Sequence, residues 1–192
     1  MIRILTNTYQ VVDPLFGRRP RRIEMDMGCG KGALTLELAR RFPDRLVLGT
    51  DIMLGRLRRV QKTVERNRLD NVELLRADNV QIASFLLPDN CLYRLHILCP
   101  DPWPKERHRA RRLLSSEFVG RAQRLLAPGG ILHVATDHEP YQEIFRQVIG
   151  ASGLFAEAPD AIADVADIQT GFEKQWREQG KEVPHFGYRR RL

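Results

Sequence analysis

The feature that most constrains this chain is an alternation of short apolar runs with stretches of helical spacing. Ile23 to Met27 is apolar-rich and ends in glycines. Gly32 to Phe42 follows with Leu34, Leu38, Ala39 and Phe42 on one helical face. The pattern recurs as a strand at Arg45 to Asp51 and a basic amphipathic helix from Leu54 to Arg68. A strand at Val72 to Arg76 precedes a short helix from Val80 to Leu87 that Pro88 stops. Leu92 to Cys99 reads as a buried strand, and Ser115 to Leu126 as a helix capped by Ser115 or Ser116. After a Pro128-Gly129-Gly130 turn come a strand at Ile131 to Thr136 and a helix at Glu139 to Gly150. This order predicts an α/β fold, doubly wound, with a mostly parallel sheet. The Ala- and Asp-rich region 151–167 gives no assignment, and 170–192 reads as one more helix and a last strand.

The length of 192 residues suits a single domain over 1–192, with a short basic N-terminal segment (1–22) and a C-terminal tail (168–192). A composition of 43% hydrophobic and 29% charged residues excludes a disordered chain. No apolar run approaches the roughly 18 residues a membrane helix needs. Met1 to Val12 contains Asn7, Thr8, Tyr9 and Gln10 rather than a signal-peptide apolar block, so a cytoplasmic protein is expected. Cys29, Cys91 and Cys99 form no metal-ligand or disulfide pattern, and no metal is expected. The net charge of +7 is compatible with a polyanionic partner.

In doubly wound folds ligands sit beyond the carboxyl ends of the strands. The first strand runs into Asp26-Met27-Gly28-Cys29-Gly30-Lys31-Gly32-Ala33. Its spacing matches G-x-G-x-x-A, so a nicotinamide dinucleotide remains a reading, and no P-loop is present. Asp26, just before the glycines, would repel a pyrophosphate and suit a cationic group. Asp51 ends the second strand and is placed to accept ribose hydroxyls. Asp78 and Asn79 follow the third and could accept from an adenine amino group, although Asp78 could equally be a helix N-cap. Acids at three successive strand ends suit a nucleoside without phosphate, such as S-adenosylmethionine.

Beyond the fourth strand, three prolines stiffen Pro100-Asp101-Pro102-Trp103-Pro104-Lys105 and hold Asp101 at the ligand end. Trp103 is either a stacking platform for a base or a loop anchor. Lys105 to Arg112 holds five basic residues against one acid, the densest positive patch in the chain. Asp137 follows the fifth strand and is expected to face the same crevice as Asp101. His138 stands alone and is given no role.

Together these residues resemble the bacterial tRNA (guanine-N7-)-methyltransferases, class I enzymes of Rossmann-like fold that use S-adenosylmethionine. The likeness rests on Asp26 to Gly32, on Pro100 to His108 with Arg111-Arg112-Leu113, on Thr136-Asp137, and on Thr170-Gly171-Phe172-Glu173. The glycine motif is common to many methyltransferases; the Pro-Asp-Pro-Trp-Pro-Lys-x-Arg-His stretch is specific to this family. The resemblance implies a cofactor site of Asp26, Gly28, Gly30, Gly32, Asp51, Asp78, Asn79 and Asp101. It implies catalytic roles for Asp101 and Asp137. Substrate contacts fall on Lys105, Arg107, Asp137, Thr170, Phe172 and Glu173. The implied substrate is guanine 46 of the tRNA variable loop, and the expected state is a monomer or homodimer. Two positions depart from the family pattern: aspartate stands for the usual glutamate at Asp26 and Asp51. The competing readings are a small-molecule or protein methyltransferase, a dinucleotide-dependent oxidoreductase, and a non-catalytic RNA-binding module.

Overall fold

The computed structural model describes residues 1–5, 22–103, 107 and 112–192. Its strands are β1 (Ile2–Ile4), β2 (Arg22–Met27), β3 (Arg45–Asp51), β4 (Val72–Arg76), β5 (Leu92–Leu98), β6 (Leu126–Ala135), β7 (Phe155–Glu157) and β8 (His185–Arg190). They form one sheet in the order β1-β4-β3-β2-β5-β6-β8-β7. All pairs from β1 to β6 are parallel, and β8 and β7 are antiparallel additions at the far edge. The doubly wound, mostly parallel sheet expected from the alternation is what the structure shows. Sequence order reverses direction between β2 and β5, which opens a crevice above their carboxyl ends.

The helices are α1 (Ala33–Arg41), α2 (Leu54–Arg66), α3 (Asn79–Gln81, continuing as a π-turn over Ile82–Leu86), α4 (Ser116–Leu125), α5 (Glu139–Ser152) and α6 (Gly171–Glu178). Strand residues alternate between the two faces of the sheet. Leu48 joins Met25, Leu95 and Val134 under Ile82, Phe118, Val119 and Phe145. Its neighbour Val47 joins Leu74 and Ile131 under Leu34, Leu38, Leu57 and Val60, with Ile162 and Val165 closing that layer. Every side chain in these two lists is buried, and each contributes roughly 1.5–3 kcal/mol of burial free energy if large.

Three local expectations are refined. Ser115, not Ser116, caps α4: its Oγ accepts from the Phe118 N–H at 3.2 Å. The Pro128-Gly129-Gly130 segment lies inside β6 rather than before it. The register slips there, from Leu92 opposite Leu126 to Arg94 opposite Ile131, so the glycines form an irregularity in a longer strand. Region 151–167 holds β7 and a short 3-10 turn at Pro159–Ile162.

Candidate active site

Gly28, Gly30 and Gly32 all adopt left-handed backbone, with φ of 83°, 55° and 78°. They do so for different reasons. A Cβ on Gly32 would lie 2.7 Å from a Val60 methyl, so this glycine lets α1 pack on α2. A Cβ on Gly28 or Gly30 would meet no protein atom nearer than 3.7 Å. Those two glycines line the cleft, with the Asn79 side chain in ordinary contact range of Gly28. The loop is fixed to the end of β3: Cys29 N–H donates to the Thr50 carbonyl at 2.7 Å, and Gly28 N–H to Thr50 Oγ1 at 3.3 Å.

The three acids at the ends of β2, β3 and β4 are each engaged by nearby main chain. Asp26 is buried and accepts from the Thr35 N–H at 3.1 Å and the Thr35 hydroxyl at 2.6 Å. Burial pushes its pKa up, against the pull of Thr35 and His96. Asp51 accepts from Gly30 N–H at 3.2 Å and Met53 N–H at 2.7 Å, with Arg56 at 3.4 Å. Asp78 is the N-cap of α3, accepting from Val80 and Gln81 N–H at 2.9 and 3.1 Å. The cap and the ligand-facing reading are therefore compatible, because Asp78 also lines the cleft.

That cleft has a volume of about 510 Å³, within the usual range for a small-molecule site. Asp26, Gly28, Gly30, Asp51, Asp78, Asn79 and Asp101 line it, together with Thr170 and Phe172 from the expected substrate contacts; Gly32, expected among the cofactor residues, does not. Four carboxylates face two cations there, Lys31 and Arg56. The balance suits a cationic or hydroxyl-rich ligand and opposes a phosphorylated one. Ile52, Val80, Leu113 and Trp103 supply apolar wall.

The opposite wall comes from the loop after β5 and from α6. Cys99 and Trp103 hold positive φ, 51° and 40°, which is strained for residues with a side chain. Arg112 holds the loop by donating to the Pro102 and Trp103 carbonyls at 3.2 and 3.3 Å. Lys105 lies outside the described residues, and Arg107 is exposed. Thr170 and Glu173 form a capping box at the start of α6. Glu173 is buried, and its carboxylate accepts from the Thr170 N–H, from Arg177 and from His185 rather than facing the cleft. Phe172 is exposed and stacks on Trp176 with ring centres 5.8 Å apart. Asp137 is not among the cleft-lining residues; it faces Lys181 Nζ at 3.7 Å. Burial, with Glu173 and Asp137 nearby, pushes the Cys99 thiol up to about 12. Among the described residues no group of three or more His, Cys, Asp or Glu could hold a metal ion.

The family model described as "Putative methyltransferase" matches residues 20–186. A tRNA (guanine-N(7)-)-methyltransferase of Neisseria meningitidis serogroup A is 33% identical over 91% of this chain and 72% of the relative. One from Alkalilimnicola ehrlichii is 33% identical over 94% of this chain and 77% of the relative. The chain belongs to the tRNA (guanine-N(7)-)-methyltransferase family. Among solved structures, the 16S rRNA methyltransferase KamB superposes with a TM-score of 0.69 at 19% identity, covering 95% of each chain. The aminoglycoside-resistance methyltransferase NpmB1 gives 0.60 at 22% identity, over 89% of this chain and 88% of its own. These two likenesses bear on the fold.

Membership in the methyltransferase family decides against the oxidoreductase and the non-catalytic module that the glycines alone left open. Within that family frame, sequence reasoning missed several site residues. Thr50 is buried and joins the glycine loop to Asn79, whose Oδ1 lies 3.4 Å from its hydroxyl. Thr35 holds Asp26, and Gln175 lines the cleft beside Phe172. Thr50 sits in the Gly49-Thr50-Asp51 strand end, so its neighbours pointed to it; nothing local singles out Thr35 or Gln175.

Proposed function

We propose that this protein transfers a methyl group from S-adenosylmethionine to N7 of a guanine in tRNA, at guanine 46 of the variable loop. The observation that carries the reading is the acid-lined cleft floored by Gly28 and Gly30 at the switch between β2 and β5. Left-handed glycines lining the cleft let a ligand approach the backbone, and the carboxylates favour a sulfonium cation. Asp51 would accept the ribose hydroxyls, Asp78 and Asn79 would flank the adenine, and Asp26 would hold the amino-acid end through its place beside Gly28. When bound, S-adenosylmethionine supplies an electrophilic methyl group.

Guanine N7 carries a lone pair and no proton, so no general base is needed to activate it. Catalysis then rests on positioning and on electrostatics. Methylation makes the purine cationic. Asp101, which lines the cleft, and Asp137, beyond the end of β6, are assigned to favour that charge and to accept from the guanine N1–H and amine. Phe172 offers an exposed aromatic face for the base. The polar face of α2 supports a nucleic-acid partner. Arg56, Arg58, Arg59, Lys62 and Arg66 are exposed on it, beginning at the cleft-lining Arg56. Basic side chains in a row suit a phosphate backbone.

The test is methyl transfer from labelled S-adenosylmethionine to unmodified bulk tRNA, followed by nucleoside analysis. Label in 7-methylguanosine is the expected result. Cofactor binding without transfer to tRNA would overturn the substrate, and transfer undiminished in a tRNA with adenine at position 46 would overturn the site.

A further inference from the structure

Glu173 is one end of a line of buried polar side chains that crosses the sheet. At the other end, on β2, Glu24 Oε2 lies 2.9 Å from Nε2 of His96 on β5. His96 Nδ1 lies 2.9 Å from Nδ1 of His133 on β6, and His133 Nε2 lies 2.9 Å from Nδ1 of His185 on β8. The line closes with His185 Nε2 at 3.2 Å from Glu173 Oε1. Glu24, His96, His133 and Glu173 are all buried.

Each of these four contacts needs one proton between its two heavy atoms, because a pair of lone pairs at that distance repels. Three neutral imidazoles carry only three. The carboxylates do not make up the difference. Burial opposes ionisation of Glu24, but His96, Arg94 and Arg45 outweigh it and hold the pKa at about 2. Burial likewise opposes ionisation of Glu173, and His185, Arg177 and Thr170 outweigh it. His133 stays neutral, because burial, the flanking histidines and Arg94 all disfavour its cation.

We propose that the line holds a fourth ring proton, shared between His96 and His185, and that this proton keeps α6 docked with Thr170 to Phe172 at the cleft. The functional half of this statement rests on reading the cleft as the place where a guanine meets the methyl donor. With the cation on His96, every N–H of the line points toward Glu173 except the one to Glu24. With the cation on His185, the two inner N–H bonds reverse. Either arrangement fills all four contacts. Losing the proton leaves one contact empty, and the longest, His185 to Glu173, is the one to open. Glu173 keeps Arg177 and the Thr170 N–H when it does. Adding a fifth proton sets two donors against each other at His133. RNA affinity therefore passes through a maximum with pH. Among the described residues, the charged and titratable groups facing the line include Asp26 on β2, Arg45 on β3, Arg94 on β5, Arg177 on α6 and Cys99 after β5.

Nitrogen-15 NMR of the full chain with labelled histidine counts the ring protons directly, with His108→Gln and His138→Asn used to assign the other two histidines. The expected result near neutral pH is four protonated and two bare ring nitrogens among His96, His133 and His185. Three and three would overturn the inference whether or not the protein methylates tRNA. Glu173→Gln gives a second test. Its carboxamide oxygen stays on Arg177 and His185, which leaves the line without the negative charge that holds the fourth ring proton. The native KM for unmodified tRNA should rise about tenfold on the alkaline side of its minimum, the worth of one charge-assisted hydrogen bond. In Glu173→Gln that rise should vanish, with affinity for S-adenosylmethionine unchanged. An equal rise in both proteins would overturn the link to α6. Absence of any transfer to tRNA, with four protons counted, would overturn the functional reading and the link to it and leave the proton assignment standing.

Discussion

The two sides of the cleft are built by different means. On the side proposed to hold the methyl donor, here the donor side, Asp26, Asp51 and Asp78 each take N–H groups from nearby main chain, and glycines shape the floor. On the side proposed to receive the base, here the base side, the start of α6 is held by Glu173, and Glu173 is reached by side chains that span β2, β5, β6 and β8. One wall is fixed by the loops that form it. The other depends on the whole sheet being in register. Perturbations should therefore separate the two sides, donor affinity on one and tRNA handling on the other.

The largest expected effect strikes the sheet-spanning side. Glu24 has a folded pKa of about 2, below the ordinary 4.5. A lowered acid contributes stability that is present above its ordinary pKa and lost as pH falls through the folded one. That contribution is roughly 3 kcal/mol. Urea unfolding of the native chain should thus weaken by about that amount between pH 4.5 and 2. Glu24→Gln should flatten this limb; an unchanged limb would show that other groups set it.

Next in size is Gly32→Ala on the donor side. It combines left-handed backbone with a methyl 2.7 Å from Val60, and should cost about 2–3 kcal/mol in urea unfolding at neutral pH. A cost below about 1 kcal/mol would mean that α1 and α2 part easily. Asp51→Asn should raise the calorimetric Kd for S-adenosylmethionine about 30-fold, since it weakens charge-assisted bonds in the cleft, and leave the tRNA KM alone. Phe172→Ala is the mirror case and the smallest. It should raise the tRNA KM about tenfold through lost base stacking, with donor Kd unchanged. Either variant moving both quantities together would erase the distinction between the sides.

The same distinction governs what the sequence reveals. The donor side is legible because its signals are local: glycines at short spacing, and Asp51 about one strand-helix-strand unit later. Even the ambiguity over Asp78 was a local one, and the structure shows the cap and the cleft position together. The base side is not. His96 and His133 are 37 residues apart, and His133 and His185 are 52 apart. None has a second histidine in its own strand to mark it. They meet only once β5 pairs with β6 so that His96 faces His133, and β8 runs antiparallel beside them. Thr170 to Glu173 came from family resemblance, which marks positions without their geometry; hence Glu173 was grouped with the substrate contacts although its carboxylate is turned into the protein. β1 and β7, three residues each, are too short to show any period.

The place of β8 between β6 and β7 also sets an order in time. A chain emerging from the ribosome presents β7 before β8, yet β8 is the strand with which β7 pairs. Until β8 is synthesised, β6 is an open edge and His133 has no outer partner. The strands and glycine loop of the donor side are complete by then. A growing chain thus shapes the glycine-floored half of its cleft before the strand that positions Glu173 of α6 exists.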